Sequence, residues 1–188
     1  ALAADYTIGA AFPMSGPNAE YGEVFGSAAN MAADHINADK KLSGKLSIVY
    51  EDSQGLPAQG VIAANKLVNV NKVPYALSAF TGVSKAIAPI GARTKTVMVN
   101  GGGVGPDLAS LGDYFWNVIP LVDFEVRAIT PYLVKEKGLK KIALIYVDDP
   151  LGQSVVAELG KELKAAGGEL VGSFSIPTTA QQFSGIAA

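Results

Sequence analysis

Apolar residues along the chain follow two spacings. Unbroken or alternating apolar runs of about five residues read as strands, and apolar residues three and four apart read as helices. The first strand covers residues 6–11 and leads into the loop Phe12-Pro13-Met14-Ser15-Gly16-Pro17. Tyr21, Phe25, Ala28, Ala32 and Ile36 then recur at helical spacing and predict a helix over residues 19–38, with Asn18 as its N-cap. Residues 46–50 read as a strand, and Pro57 opens a second helix with Val61, Ala64, Leu67 and Val68 on one face. Three further strands follow over 75–80, 96–99 and 114–118, with a helix over 84–92 after the first of them. Pro120 interrupts the pattern and the alternation restarts. A helix over 124–136 ends at Gly138, a strand covers 142–147, a helix over 154–166 closes at Gly167-Gly168, a strand covers 170–176, and 181–188 begin another helix. Ile142 to Val147 show no polar alternation, which predicts a strand buried on both faces.

Alternating strands and helices define an α/β fold with parallel sheets and right-handed crossovers. The restart after Pro120 gives an N-terminal α/β lobe over residues 1–119 and a partial second lobe over residues 120–188. In such sheets ligands bind outside the carboxyl ends of the strands. The loops to search are therefore 13–21, 52–57, 81–84, 100–106 and 148–153.

Composition narrows the chemistry. With 188 residues, 49% of them hydrophobic, the chain can bury a core and is no disordered segment. A net charge of −2 argues against a nucleic-acid partner, which calls for a basic patch. No apolar run approaches the roughly 18 residues of a membrane span. The absence of cysteine excludes a disulfide scaffold, thiolate-ligated zinc and a Cys nucleophile, and the single histidine, His35, has no partner for an intrachain triad or a two-His metal site. No catalytic residue, metal site or cofactor is expected. Ala1-Leu2-Ala3 before Ala4-Asp5 has the small-x-small form of a signal-peptidase site, and reads equally as an Ala-rich start.

Gly101-Gly102-Gly103-Val104-Gly105-Pro106 follows a strand but fits no phosphate motif. Counting G-x-G-x-x-G from Gly101 puts Pro106 at the third glycine, counting from Gly103 puts Leu108 there, and there is no P-loop Lys-[Ser/Thr] pair. The preferred reading is a stretch of bare backbone that a ligand can approach; a flexible turn is the plainer one. Thr81-Gly82-Val83-Ser84 joins a strand to a helix, where two hydroxyls and the unpaired N–H groups of a helix start can hold a carboxylate. Ser84 acting as a simple N-cap explains the same residues. Ser15-Gly16-Pro17 and Tyr21 form the first loop and helix turn, with Tyr21 either core or the wall of a pocket. Glu51-Asp52 and Asp148-Asp149 read as caps and solvated loop acids, since adjacent side chains on extended backbone diverge.

The order of several short motifs then becomes informative. Ser15-Gly16-Pro17, Tyr21-Gly22, Ala32-Ala33-Asp34-His35-Ile36-Asn37-Ala38, Tyr50-Glu51-Asp52-Ser53-Gln54 and Ala63-Ala64-Asn65-Lys66-Leu67-Val68 follow one another. This resembles the start of the leucine/isoleucine/valine-binding protein family, the type I periplasmic solute receptors of ABC importers. Ile142 to Gly152 and the Gly167-Gly168-Glu169 turn resemble the start of that family's second lobe.

The resemblance implies a secreted periplasmic receptor with its signal peptide removed. It implies two lobes that close on a small ligand, and ABC importer membrane subunits as partners. Tyr21 matches a cleft-wall aromatic. Gly82 falls where branched-chain amino-acid receptors carry a carboxylate-binding serine, with Thr81 or Ser84 as substitutes. Gly102, Gly103 and Val104 fall on the head-group loop, and Leu151 where those receptors carry a second-lobe tyrosine. Ser15 and Phe124 complete the expected ligand-binding set. These departures leave room for a bulkier ligand: an amino acid, an organic or aromatic acid, or an amide. A ligand-sensing regulator on the same fold is the alternative. The second lobe reads as truncated, so self-association through its sheet edge is expected.

Overall fold

A computed structural model of the protein describes residues 5–180 and Gly185. The small-x-small start, and all but Gly185 of the helix expected over 181–188, lie outside the described residues. Among the described residues no helix is long and apolar enough to cross a membrane.

The elements are β1 (Tyr6–Phe12), α1 (Ala19–Ala38), β2 (Leu46–Asp52), α2 (Pro57–Asn69), β3 (Tyr75–Ser78), α3 (Thr81–Thr94), β4 (Val97–Asn100), β5 (Phe115–Asn117), α4 (Val122–Pro131), β6 (Lys141–Val147), α5 (Pro150–Ala166) and β7 (Glu169–Ile176). They fall into two compact units. One runs to Gly103 and resumes over Leu108–Ile119; the other takes Val104–Asp107 and continues from Pro120. The segment 104–107 joins the second unit, in which the Val122 N–H donates to the Val104 carbonyl at 2.7 Å.

The first unit is built on a parallel sheet of order β2-β1-β3-β4-β5. Phe25 and Ala29 of α1 cover Ala10, Phe12, Ile48, Tyr50 and Leu77. The pleat turns alternate residues to the opposite face. There Leu67 of α2 lies against Gly9, and Gly91 of α3 against Met98. The buried stripe of α1 differs from the expected one. Gly22, Gly26 and Ala33 face inward, while Ala28 and Ala32 are exposed. A hydrophobicity reading passes over glycine, yet only glycine fits here: a Cβ on Gly22 would lie 2.1 Å from the Pro13 carbonyl oxygen. Asn18 occupies the cap position of α1, but its side chain makes no capping hydrogen bond.

The second unit holds a two-stranded parallel sheet, β6-β7, with a bulge between Ile142 and Ala143. Its core joins Val126, Val134, Leu159 and Leu163 to Ile142, Leu144 and Leu170. The helix expected over 124–136 is α4 continued by a π-turn at Tyr132–Glu136. Pro131 sits at that junction, where its missing N–H removes one helical bond. β6 corrects the expectation of burial on both faces. Ile145 is 56% exposed, and Val147, Val171 and Phe174 are exposed as well. Among the described residues, the helices of this unit cover one face of the sheet only.

Candidate functional site

Parallel pairing brings the carboxyl ends of the first unit's strands to one edge of the sheet. Phe12 and Asp52 are register partners there, so the last residue of β2 lies beside the loop leaving β1. The Asp52 carboxylate accepts from the Met14 N–H at 2.9 Å, the Ser15 N–H at 3.3 Å, the Gln54 N–H at 2.8 Å and the Ser15 hydroxyl at 2.5 Å. Desolvation pushes this carboxyl upward, but these four hydrogen bonds outweigh it and hold Asp52 below the usual carboxylate range. Ser15 is exposed, yet both its N–H and its hydroxyl are tied to Asp52.

Tyr21 is not core: it is 48% exposed. Its ring stands edge-on to Phe80 at 5.5 Å and lies 6.2 Å from Phe25, which leaves an open aromatic wall. Phe80 has φ +67°, a conformation that costs a bulky residue about 1–3 kcal/mol. This turn ends β3 at Ser78 and starts α3 at Thr81, three residues before the expected helix. Thr81 is buried in the first helical turn and Gly82 is partly exposed.

The N-cap reading of Ser84 is corrected. This residue lies inside α3, so it is no N-cap, and it is fully buried. Its hydroxyl lies 2.9 Å from that of Ser78 and donates to Asn100 Oδ1 at 3.3 Å. The glycine run is also used differently from the preferred reading. A Cβ on Gly102 would lie 2.7 Å from the Phe25 ring and 2.9 Å from the Ala79 Cβ; one on Gly103 would lie 2.8 Å from the Phe80 carbonyl carbon. Bare backbone is needed here so that this loop can close on its own neighbours. The Gly103 N–H donates to Asn100 Oδ1 at 2.7 Å and the Gly102 N–H at 3.3 Å, so neither is free.

The first unit thus gathers Tyr21, Phe80, Thr81, Gly82, Gly102 and Gly103 at one edge, with Ser15 on the β1 loop of the same edge. Val104, Phe124 and Leu151 belong to the second unit. Phe124 is exposed, with the Arg127 guanidinium 4.8 Å from its ring centroid, and Leu151 is half-buried in the first turn of α5. The acidic pairs serve locally. Asp149 caps α5 by accepting from the Gly152 N–H at 2.7 Å, and Glu51 pairs with Lys66 at 2.9 Å. No group of three or more His, Cys, Asp or Glu converges to hold a metal among the described residues.

Asn100, Ser78 and Phe80 are absent from the expected site. Asn100 carried a usable signal, a polar residue closing the apolar run Val97-Met98-Val99 just before glycines. Nothing in the sequence marks Phe80 for positive φ.

The periplasmic binding protein family matches residues 5–188. The chain belongs to that family. A Leu/Ile/Val-binding protein, BraC3, of Rhizobium johnstonii is 30% identical over 169 residues, covering 87% of this chain and 45% of the relative. Among solved structures, the solute-binding protein of an ABC transporter from Rhodopseudomonas palustris HaA2, in complex with p-hydroxybenzoic acid, aligns with a TM-score of 0.82 at 25% identity. That alignment covers 98% of this chain and 50% of that one. The leucine-binding protein LivK from Thermotoga maritima aligns with a TM-score of 0.84 at 19% identity, over 96% of this chain and 51% of that one. The fold is that of the type I periplasmic binding proteins, and the chain spans about half the length of the relatives it matches.

Proposed function

We propose that this chain is part of a periplasmic solute receptor. It captures a small carboxylic acid without converting it and hands it to the membrane subunits of an ABC importer. The observation that carries the reading is the open aromatic wall of Tyr21 and Phe80 beside the first turn of α3, on the sheet edge where α/β ligands bind. Kinship supports it, since named relatives and neighbours bind leucine, isoleucine and valine or p-hydroxybenzoic acid. Within that range the wall favours a ring-bearing acid, because an aromatic face gains contact area from another ring. Gly82, in place of a serine side chain, leaves room for such a ring. Ser15, Tyr21, Thr81, Gly82 and Gly102 are the proposed contacts of the first unit. Ser84 and Gly103 support them from behind.

A thermal-shift screen tests the reading. Benzoate, p-hydroxybenzoate, leucine and isoleucine are compared with ATP and NAD, and at least one of the acids is expected to raise the melting temperature. Stabilisation by the nucleotides alone overturns the proposal.

A further inference from the structure

The polar residue that closes β4 is the hub of the buried hydrogen bonds at this edge. Asn100 is fully buried at the point where the strand gives way to Gly101. A carboxamide offers two N–H donors and an acceptor oxygen. All of them are used. Oδ1 accepts from the Gly103 N–H at 2.7 Å, the Gly102 N–H at 3.3 Å and the Ser84 hydroxyl at 3.3 Å. Nδ2 donates to the Gly103 carbonyl at 2.6 Å and to Asn117 Oδ1 at 2.9 Å. The orientation of the amide follows from its neighbours. Asn117 Nδ2 donates to the Leu108 carbonyl at 2.9 Å, so Asn117 turns its oxygen toward Asn100 and requires a donor there. Reversing Asn100 would set oxygen against oxygen twice and nitrogen against the Gly103 N–H.

We propose that Asn100 is the positioning residue of the 101–103 loop, and that this loop gives a ligand shape rather than hydrogen-bond donors. Three strands and one helix converge on it: Ser78 from β3, Ser84 from α3, Asn117 from β5, and Asn100 itself from β4. The chain Ser78–Ser84–Asn100 fixes the loop to the first turns of α3, so the two loops at this edge move as one body. The Gly101 N–H is held separately by the Ser78 carbonyl at 3.1 Å. A cluster this well satisfied confers rigidity because each member would be left unpaired and buried if another withdrew. A carboxylate at this edge therefore takes its hydrogen bonds from groups other than the Gly102 and Gly103 N–H.

The inference rests on the proposed receptor function only for its consequence in binding; the geometry of the loop is tested without ligand. Amide hydrogen exchange read by NMR on the full chain gives the first result. In the wild-type protein the Gly103 N–H is expected to be protected, and exchange there at the rate of an unstructured peptide overturns the proposal whatever the variants do. Asn100→Leu fills the space but offers no hydrogen bond. It is expected to speed Gly103 exchange about tenfold or more while Met98, held by the Tyr114 carbonyl, keeps its protection. Asn100→Asp keeps the acceptor and is expected to retain more of the Gly103 protection than Asn100→Leu. Unchanged Gly103 exchange in a folded Asn100→Leu protein shows a merely space-filling residue and overturns the proposal. In the second arm, p-hydroxybenzoate and leucine are titrated. Weaker binding in Asn100→Leu, with the wild-type Gly102 and Gly103 N–H groups still showing scalar couplings through their hydrogen bonds to the Asn100 carboxamide when ligand is bound, supports the consequence. Loss of those couplings on binding, with exchange protection kept, would show the two N–H groups transferred to the ligand and overturns it. If no probe binds the wild type, the receptor reading fails, and Gly103 exchange still decides the role of Asn100.

Discussion

β1–α1 and β6–α5 are the same structural unit made twice, and they end differently. Both helices begin with a glycine jammed against the preceding backbone. An added Cβ would lie 2.1 Å from the Pro13 carbonyl oxygen at Gly22, and 2.0 Å from the Val147 carbonyl oxygen at Gly152. Both strands are runs of mainly apolar residues. Yet the last four residues of β1 are buried, while β6 alternates between exposed and half-buried. β1 lies between two strands with helices on both faces; among the described residues β6 has one neighbour and helices on one face. A strand's sequence states the burial it is suited to, and its neighbours decide the burial it gets.

Core truncations should break this comparison hardest. Leu67 in the first unit and Leu163 in the second are both fully buried. Leu67→Ala and Leu163→Ala should each cost about 2–5 kcal/mol in urea unfolding, since each leaves a cavity. A loss below about 1 kcal/mol at Leu163 would mean that the second unit has no core of its own. Gly22→Ala and Gly152→Ala come next, at about 1–3 kcal/mol each, because the backbone must shift to admit the methyl group. Equal losses would confirm one design used twice. Ile145→Thr, on the open face of β6, should fall within about 0.5 kcal/mol. A larger loss would show that something covers that face.

This contrast also shows how much could be read in advance. The α/β order, most element positions and the loops worth searching followed from periodicity, because apolar spacing reflects sheet and helix geometry directly. In α1 the expected stripe keeps Phe25 on the sheet but not Ala28 or Ala32, because part of the contact is made by Gly22 and Gly26, whose missing side chains carry no hydrophobic signal. α3 starts three residues before its apolar spacing predicts because Phe80 turns the chain at positive φ. In the candidate site the glycine run was legible as a position but not as a mechanism. The Gly102 and Gly103 N–H groups look free in sequence and are occupied by a side chain two and three positions earlier. Ser84 reads in sequence either as a carboxylate-binding hydroxyl or as an N-cap, and its place inside α3 excludes the cap.

The smallest expected effect is electrostatic. The Asp52 carboxyl is held below its unfolded value, so its contribution to stability is fully present above the ordinary Asp value of about 3.9 and is lost as pH falls through the lower folded value. The difference in melting temperature between wild type and Asp52→Asn should therefore shrink on acidification through that window. A difference independent of pH would show that Asp52 makes no charge-dependent contribution to holding the β1 loop.

The edge carrying Tyr21, Phe80, Thr81 and Gly82 is proposed to receive a small carboxylic acid. Amide chemical shifts followed by NMR during titration with p-hydroxybenzoate and with leucine test this directly, and detect weak binding as well as tight. Saturable shifts concentrated at residues 21, 80–82 and 101–103, with affinity weakened in Tyr21→Ala by the roughly 1–3 kcal/mol of a lost aromatic contact, are the expected result. Shifts absent from those residues at saturating concentrations of both acids would contradict it.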